Sequence, residues 1–181
     1  MIDWGKMEIS RYLAAQVKRW HVYPVLRQQN IGEHSFNIMQ IMDTIFHTHP
    51  QYLRLLRGAM HHDMGEIQSG DIPYGAKKSL PNSCKKAIEE IETDACRSMR
   101  IELPLLTQEE QDIIKFCDLA EMWLFSLQEL CMGNRMAQPI RLTTEAELNR
   151  RAIELPAVYH EKIEQWRNEN ITTFGAGEWY K

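Results

Sequence analysis

The run Ala59-Met60-His61-His62-Asp63-Met64-Gly65-Glu66 closes an apolar stretch that opens after Pro50, and it reads as the end of a helix reaching to about Glu66. On such a helix His62 and Glu66, four residues apart, share a face. A metal ligand at His62 would then set Glu66 beside coordinated water, where a general acid or base is needed. Asp63 points about 100° away from His62 on a helix, so both reach one ion only if it lies over the edge between them. His61 faces about 100° the other way and reads as a core residue or a support for a ligand. The His-Asp pair alone is common by chance in a chain with seven histidines. Its surroundings decide what it means.

Outward from that run, His34 opens another helix just after Asn30-Ile31-Gly32-Glu33, where Asn30 can cap the helix start. Asp118 lies in a helical stretch with Phe116, Cys117, Leu119 and Ala120 around it. A carboxylate in so apolar a segment needs a partner, and a metal would be one. His34, His62, Asp63 and Asp118 offer two imidazoles and two carboxylates, a donor set suited to a divalent transition metal such as Mn²⁺, Co²⁺ or Zn²⁺. Mg²⁺ suits such a set less, though it could accompany a polyphosphate substrate. His21, His47, His49 and His160 lack acidic neighbours in a comparable pattern and read as ordinary residues.

The remaining pattern is helical almost throughout, so the expected class is all-α, with 181 residues forming a single domain. Ile9, Leu13, Val17 and Trp20 recur at helical spacing and predict a first helix over roughly 8–20. The segment from Gly32 to His47 is apolar at helical spacing, and residues 67–81, with two glycines and two prolines, read as a loop. A charged helix is expected from Asn82 or Ser83 to before Pro104. Thr107-x-x-Glu110 is a capping box opening a long helix to about Met132, and Thr144-x-x-Glu147 reads as a second box. Pro156 starts the last helix, which leaves a tail ending in Trp179-Tyr180. The strip Met122-Trp123-Leu124-Phe125 with Leu127 is apolar nearly all round, hence core, or core plus a subunit interface.

A net charge of −4 argues against a nucleic-acid polymer as partner. No apolar stretch approaches the ~20 residues of a membrane span. The start Met1-Ile2-Asp3-Trp4-Gly5-Lys6 has no signal-peptide pattern, and four cysteines without C-x-x-C spacing read as reduced thiols. The expected location is the cytoplasm.

The ordered motifs Arg19-Trp20, Gly32-Glu33-His34-Ser35, His62-Asp63-x-x-Glu66, Gly70-Asp71-Ile72-Pro73 with Lys77, and Asp118 resemble the HD-domain phosphohydrolases. More narrowly, they are similar to YfbR-type 5′-deoxynucleotidases and to phage dATP triphosphohydrolases, over about residues 10–135. The resemblance implies that His34, His62, Asp63 and Asp118 bind one divalent metal and that Glu66 serves in catalysis. It further implies that Arg19 and Trp20 hold a small-molecule deoxynucleotide, and that the chain forms a homo-oligomer. Two departures stand out: Ile31-Gly32 replaces the Val-Ala or Val-Ser common before the first ligand, and Ile67 follows Glu66 where a hydroxyl residue is common.

Within that resemblance, Trp20 and Val22 would wall a nucleoside pocket, with Tyr23 beside them, and Arg19 would offer its planar fork to a phosphate. Alternatively, Arg19-Trp20 simply ends an amphipathic helix. Asp71 either caps a turn or bonds the sugar 3′-hydroxyl and assists proton transfer. Lys77 and Lys78 are phosphate contacts or a solvated face, with Lys85 and Lys86 as a landing area for a longer phosphate tail. The expected reaction is P–O5′ cleavage of a 2′-deoxynucleotide. The short chain, the Arg-Trp-x-Val edge and the lysines after Asp71 favour dATP, giving deoxyadenosine and triphosphate. A broad 5′-deoxynucleotidase acting on monophosphates, hydrolysis of a cyclic or alarmone nucleotide, and a non-catalytic nucleotide-binding module are the other readings.

Overall fold

The computed structural model describes residues 6–174, with side chains from Arg11 onward except Tyr74. The N-terminal Met1–Gly5 and the tail from Gly175 lie outside the described residues. Helices follow one another along the chain: α1 (Lys6–Ala15), α2 (Ile31–Phe46), α3 (Tyr52–His61), α4 (Glu66–Ser69), α5 (Tyr74–Ser79), α6 (Asn82–Ser98), α7 (Gln108–Cys131), α8 (Gln138–Glu154) and α9 (His160–Thr173). No strand occurs among the described residues, and the class is all-α.

Local chemistry starts the two helices that matter most. The Asn30 side chain accepts the Glu33 N–H at 2.8 Å and caps α2. Thr107 and Glu110 form a reciprocal capping box at the start of α7. α7 then packs against α2, α3 and α8. Phe46, Phe116, Trp123, Tyr159 and Trp166 build the centre of the core, with Phe46 and Tyr159 ring centroids 4.8 Å apart. Each such ring contributes roughly 1.5–3 kcal/mol by leaving water. Trp123, Phe125 and Leu127 are buried within the chain, so the apolar strip on α7 is core. No helix among the described residues is long and apolar enough to cross a membrane.

Four expectations need correction. α1 ends at Ala15, not near residue 20, and Leu13 is exposed. Beyond it the chain doubles back: Lys18 bridges Asn30, Arg19 N–H donates to the Gln29 carbonyl, and Trp20 takes a left-handed φ of 61°. The helix expected to reach Glu66 stops at His61, and a turn over residues 62–65 leads into α4. That turn crosses α6 at Gly65, where a Cβ would meet the Glu92 carbonyl oxygen at 2.5 Å. The segment 67–81 holds the end of α4 and all of α5 rather than loop alone. Thr144 caps nothing. It lies inside α8, and its hydroxyl donates to the Ile140 carbonyl at 2.8 Å, while Glu147 pairs with Arg150 and Arg151.

Candidate metal centre

Three elements converge on one point. His34 comes from the first turns of α2, His62 from the end of α3 and Asp118 from the middle of α7, and their ligand atoms can lie within 4.8 Å of one another. His34 Nε2 is 3.2 Å from Asp118 Oδ1. Asp63 Oδ2 lies 3.2 Å from His62 Nε2 and 3.6 Å from His34 Nε2. The turn after α3, not a helix edge, sets the Asp63 carboxylate beside His62; the group whose ligand atoms all lie within 4.8 Å of one another is His34, His62 and Asp118.

Both imidazoles are oriented from behind. His34 Nδ1 is 2.6 Å from Glu121 Oε2, and His62 Nδ1 is 2.7 Å from the Ala59 carbonyl oxygen. These oxygens accept, so each neutral ring carries its proton on Nδ1 and presents a lone pair at Nε2. Both Nε2 atoms are buried and lack a hydrogen-bond partner in the protein. Two unpartnered lone pairs facing two carboxylates fit a divalent transition metal.

The carboxylates are held from outside as well. Arg19 Nη1 donates to Asp63 Oδ2 at 2.7 Å, and Lys115 Nζ donates to Asp118 Oδ2 at 2.5 Å. Burial opposes ionisation of both acids. Nevertheless His62, Arg19 and His34 hold Asp63 well below the usual carboxylate range, and Lys115, His34 and His62 do the same for Asp118. Burial and Arg19 oppose a charge on His34, yet Glu121 and Asp118 carry it up to about 9. The surround therefore draws a cation, and a metal would take the proton's place. Glu66 opens α4 with its Oε2 buried and unpartnered, and burial, reinforced by Asp63 and Asp71, pushes it up to about 9. His61 is half-buried and stands outside the ligand group, its pKa lowered by burial.

A cavity of about 310 Å³ opens over this centre. One part of its lining is ionic: Arg19, Asp63, Glu66, Asp71, Lys77, Lys115 and Asp118. The rest is largely apolar, with Trp20, Val22, Tyr23, Ile72, Met122 and Ile140. Trp20 stacks on Phe125 with centroids 4.7 Å apart and planes 7° from parallel, and its indole N–H donates to Gln29 Oε1 at 2.9 Å. Val22 lines the cavity from an exposed position. Lys78 does not line it and is exposed, as is Lys86, so the expected contact from Lys78 has no geometric basis here.

Lys115, Glu121 and Gln29 were not legible as site residues. Lys115 and Glu121 stand three residues either side of Asp118 and so share its face of α7, which is the signal that could have found them. For Gln29 no such local signal exists, because its partners come from the loop's return onto α7.

The family model described as 5′-deoxynucleotidase YfbR-like matches residues 10–165. A 5′-deoxynucleotidase of Cronobacter sakazakii is 29% identical over 140 residues, covering 65% of this chain and 69% of that protein. The 5′-deoxynucleotidase YfbR of Salmonella typhi is 29% identical over 157 residues, covering 74% and 78%. Among solved structures, the cyanophage S-2L HD phosphohydrolase DatZ, bound to dA and one catalytic Zn²⁺ ion, superposes with a TM-score of 0.75 at 22% identity, covering 91% of this chain and 96% of that one. An HD-domain phosphohydrolase from Listeria innocua gives 0.66 at 17% identity, covering 93% and 88%. The chain belongs to the YfbR-like 5′-deoxynucleotidase family and is an all-α enzyme of the HD phosphohydrolase type.

Proposed function

We propose that the enzyme cleaves the P–O5′ bond of a 2′-deoxynucleotide, with dATP as substrate and deoxyadenosine plus triphosphate as products. The observation that carries this reading is the single cavity in which Arg19, Lys77 and Glu66 lie around the metal-ligand group while Trp20, Val22 and Ile72 supply an apolar wall. A nucleotide has that same division between phosphate and base. DatZ, similar in fold, is bound to dA and Zn²⁺, which supports an adenine deoxynucleoside and Zn²⁺ here.

His34, His62, Asp63 and Asp118 would hold one divalent transition metal. Such an ion supplies Lewis-acid polarisation at the α-phosphoryl group and lowers the pKa of water. Glu66 takes the proton of the attacking water and returns it to O5′ as the P–O5′ bond breaks, so the sugar leaves as an alcohol rather than an alkoxide. Arg19 is committed on one nitrogen to Asp63 and Lys77 only loosely to Glu92, 3.8 Å away, which leaves both able to face phosphoryl oxygens. Asp71, in the same lining, would receive the 3′-hydroxyl.

The curated relatives favour a second reading, since both described above are 5′-deoxynucleotidases. In it the same scission releases phosphate from several monophosphates. A cytoplasmic homo-oligomer accompanies either reading. Chromatography of products from dATP, dAMP, dGTP and ATP, with Zn²⁺, Mn²⁺, Co²⁺ and a chelator control, separates them. Deoxyadenosine with intact triphosphate is the expected result. Turnover of monophosphates with triphosphates spared would replace it with the second reading.

A further inference from the structure

We infer that Gln29 is a positioning residue joining the Trp20 wall of the cavity to the ligand His34, so that nucleoside and metal bind cooperatively; this rests on the metal-centre reading above. The observation is an unbroken chain of buried hydrogen bonds. The Trp20 indole N–H donates to Gln29 Oε1 at 2.9 Å, and the Gln29 amide donates to Glu121 Oε1 at 2.6 Å. The other oxygen of Glu121 accepts from His34 Nδ1 at 2.6 Å. Exposure along the chain runs 6%, 1%, 2% and 0% from Trp20 to His34. All four side chains are buried, so a broken link leaves a polar atom short of a partner; Asn37 Nδ2, 3.1 Å from Glu121 Oε1, is the one further donor to that carboxylate among the described residues.

The chemistry at position 29 is demanding. An indole only donates and a carboxylate only accepts, so the residue between them must accept at one atom and donate at its neighbour. A glutamine amide does both. Glutamate would set a second carboxylate against Glu121, and methionine would fill the space while supplying neither bond.

Gln29 also governs the backbone beside it. Its carbonyl accepts the Arg19 N–H at 2.9 Å, and the Arg19 guanidinium in turn holds Asp63. Trp20 keeps a φ of 61°, a region that is strained for an L-residue and persists only when neighbours impose it. One side chain and one carbonyl thus fix both members of the Arg19-Trp20 pair. A base seated against Trp20 therefore bears on Glu121 and the His34 ring through these bonds, and a metal on His34 Nε2 bears on Trp20 by the same route. Linkage requires the two effects to be equal in size.

The test uses 2′,5′-dideoxyadenosine, which has no 5′-oxygen to approach the metal. The Zn²⁺ dissociation constant is measured by competition with a chromophoric chelator, with and without the nucleoside, on the wild type, Gln29→Met and Trp20→Phe. Calorimetry gives the nucleoside constant with and without Zn²⁺. In the wild type each ligand tightens the other by the same factor, about 5-fold or more. Gln29→Met weakens Zn²⁺ about 10-fold and brings the coupling factor to one. Trp20→Phe keeps a ring on Phe125 but removes the indole N–H, the first link, so it also loses the coupling. Zn²⁺ uptake by the wild type without coupling overturns the inference alone, as does full coupling in either variant. A wild type that takes up no Zn²⁺ overturns the metal-centre reading and the inference with it.

Discussion

The Nδ1 nitrogen of His62 is locked 2.7 Å from the carbonyl oxygen of Ala59, three residues earlier in the chain. That bond turns the helix end into a mount: the ring cannot flip without losing it, and its Nε2 stays directed at Asp63 and His34. His62→Ala should therefore abolish stoichiometric metal binding, measured as metal content after gel filtration. The neighbouring His61→Ala should leave metal content unchanged, since His61 stands outside the ligand group. Equal metal content in the His62 variant and the wild type would disprove the ligand assignment.

Glu66 separates metal binding from turnover. Its carboxyl is buried beside the ligand group without belonging to it. Glu66→Ala should keep metal stoichiometry and lose about 10²–10⁴-fold in kcat, the range expected for removal of a general acid or base. If turnover survived within a factor of a few, another group must handle the proton.

Local signals made some of this legible and tertiary ones did not. Asn30 and Thr107 cap their helices through bonds to residues three positions on, so sequence alone carries them. Thr144-x-x-Glu147 has the same spacing, but α8 starts earlier, with proline in its first turn, and absorbs it. The periodicity through Trp20 misled because the return that pairs Lys18 with Asn30 outweighs continuation of α1. His34, His62 and Asp118, which the fold brings together, stand out in the sequence by residue type and order, with Asp63 next to His62. Gln29 does not, because a buried amide declares itself through tertiary partners, here Glu121, 92 residues distant; Glu121 had only its place one turn from Asp118 to mark it.

Lys77 lines the cavity with a half-exposed side chain whose ion pair to Glu92, at 3.8 Å, is too loose to fix it. It is free to meet a phosphate. Lys77→Ala should lower kcat/KM for dATP about 10-fold, or about 1.4 kcal/mol of transition-state stabilisation. Lys78→Ala, outside the cavity, should stay near wild type. Steady-state kinetics on the two variants in parallel would expose a reversed order, and with it a wrong assignment.

Glu110, at the start of α7, offers a pH test outside the ligand group. It accepts from Arg54 Nε at 2.7 Å and from the Thr107 N–H at 2.8 Å while completing the α7 cap. Burial opposes its charge, but the Thr107 and Arg54 bonds win and hold it below its ordinary 4.5. A depressed carboxylate stabilises the fold above its unfolded-state pKa and loses that contribution as pH falls through the folded value. Glu110→Gln should cost about 1–2 kcal/mol at pH 7 and less in acid, so the two stability curves converge below pH 4.5. Denaturant melts across pH would reveal parallel curves if the bond were not charge-dependent.

Gly65 is the residue that lets the turn carrying His62 and Asp63 touch α6. Its φ of −67° suits any residue, so replacement by alanine ought to stabilise through the unfolded chain. Space decides the sign instead. A Cβ would stand 2.5 Å from the Glu92 carbonyl oxygen and 2.8 Å from its carbonyl carbon, both backbone atoms that cannot swing aside. Gly65→Ala should cost about 1–3 kcal/mol, as overpacking does, and should weaken metal binding because Asp63 stands two residues before the displaced residue and Glu66 directly after it. Gly75→Ala is the control: a Cβ there would have nothing within 4 Å, so thermal stability should stay within about 0.5 kcal/mol. A Gly65→Ala enzyme that melted and bound metal like the wild type would mean that α6 gives way at no cost, and that its contact with the turn does not hold the centre in place.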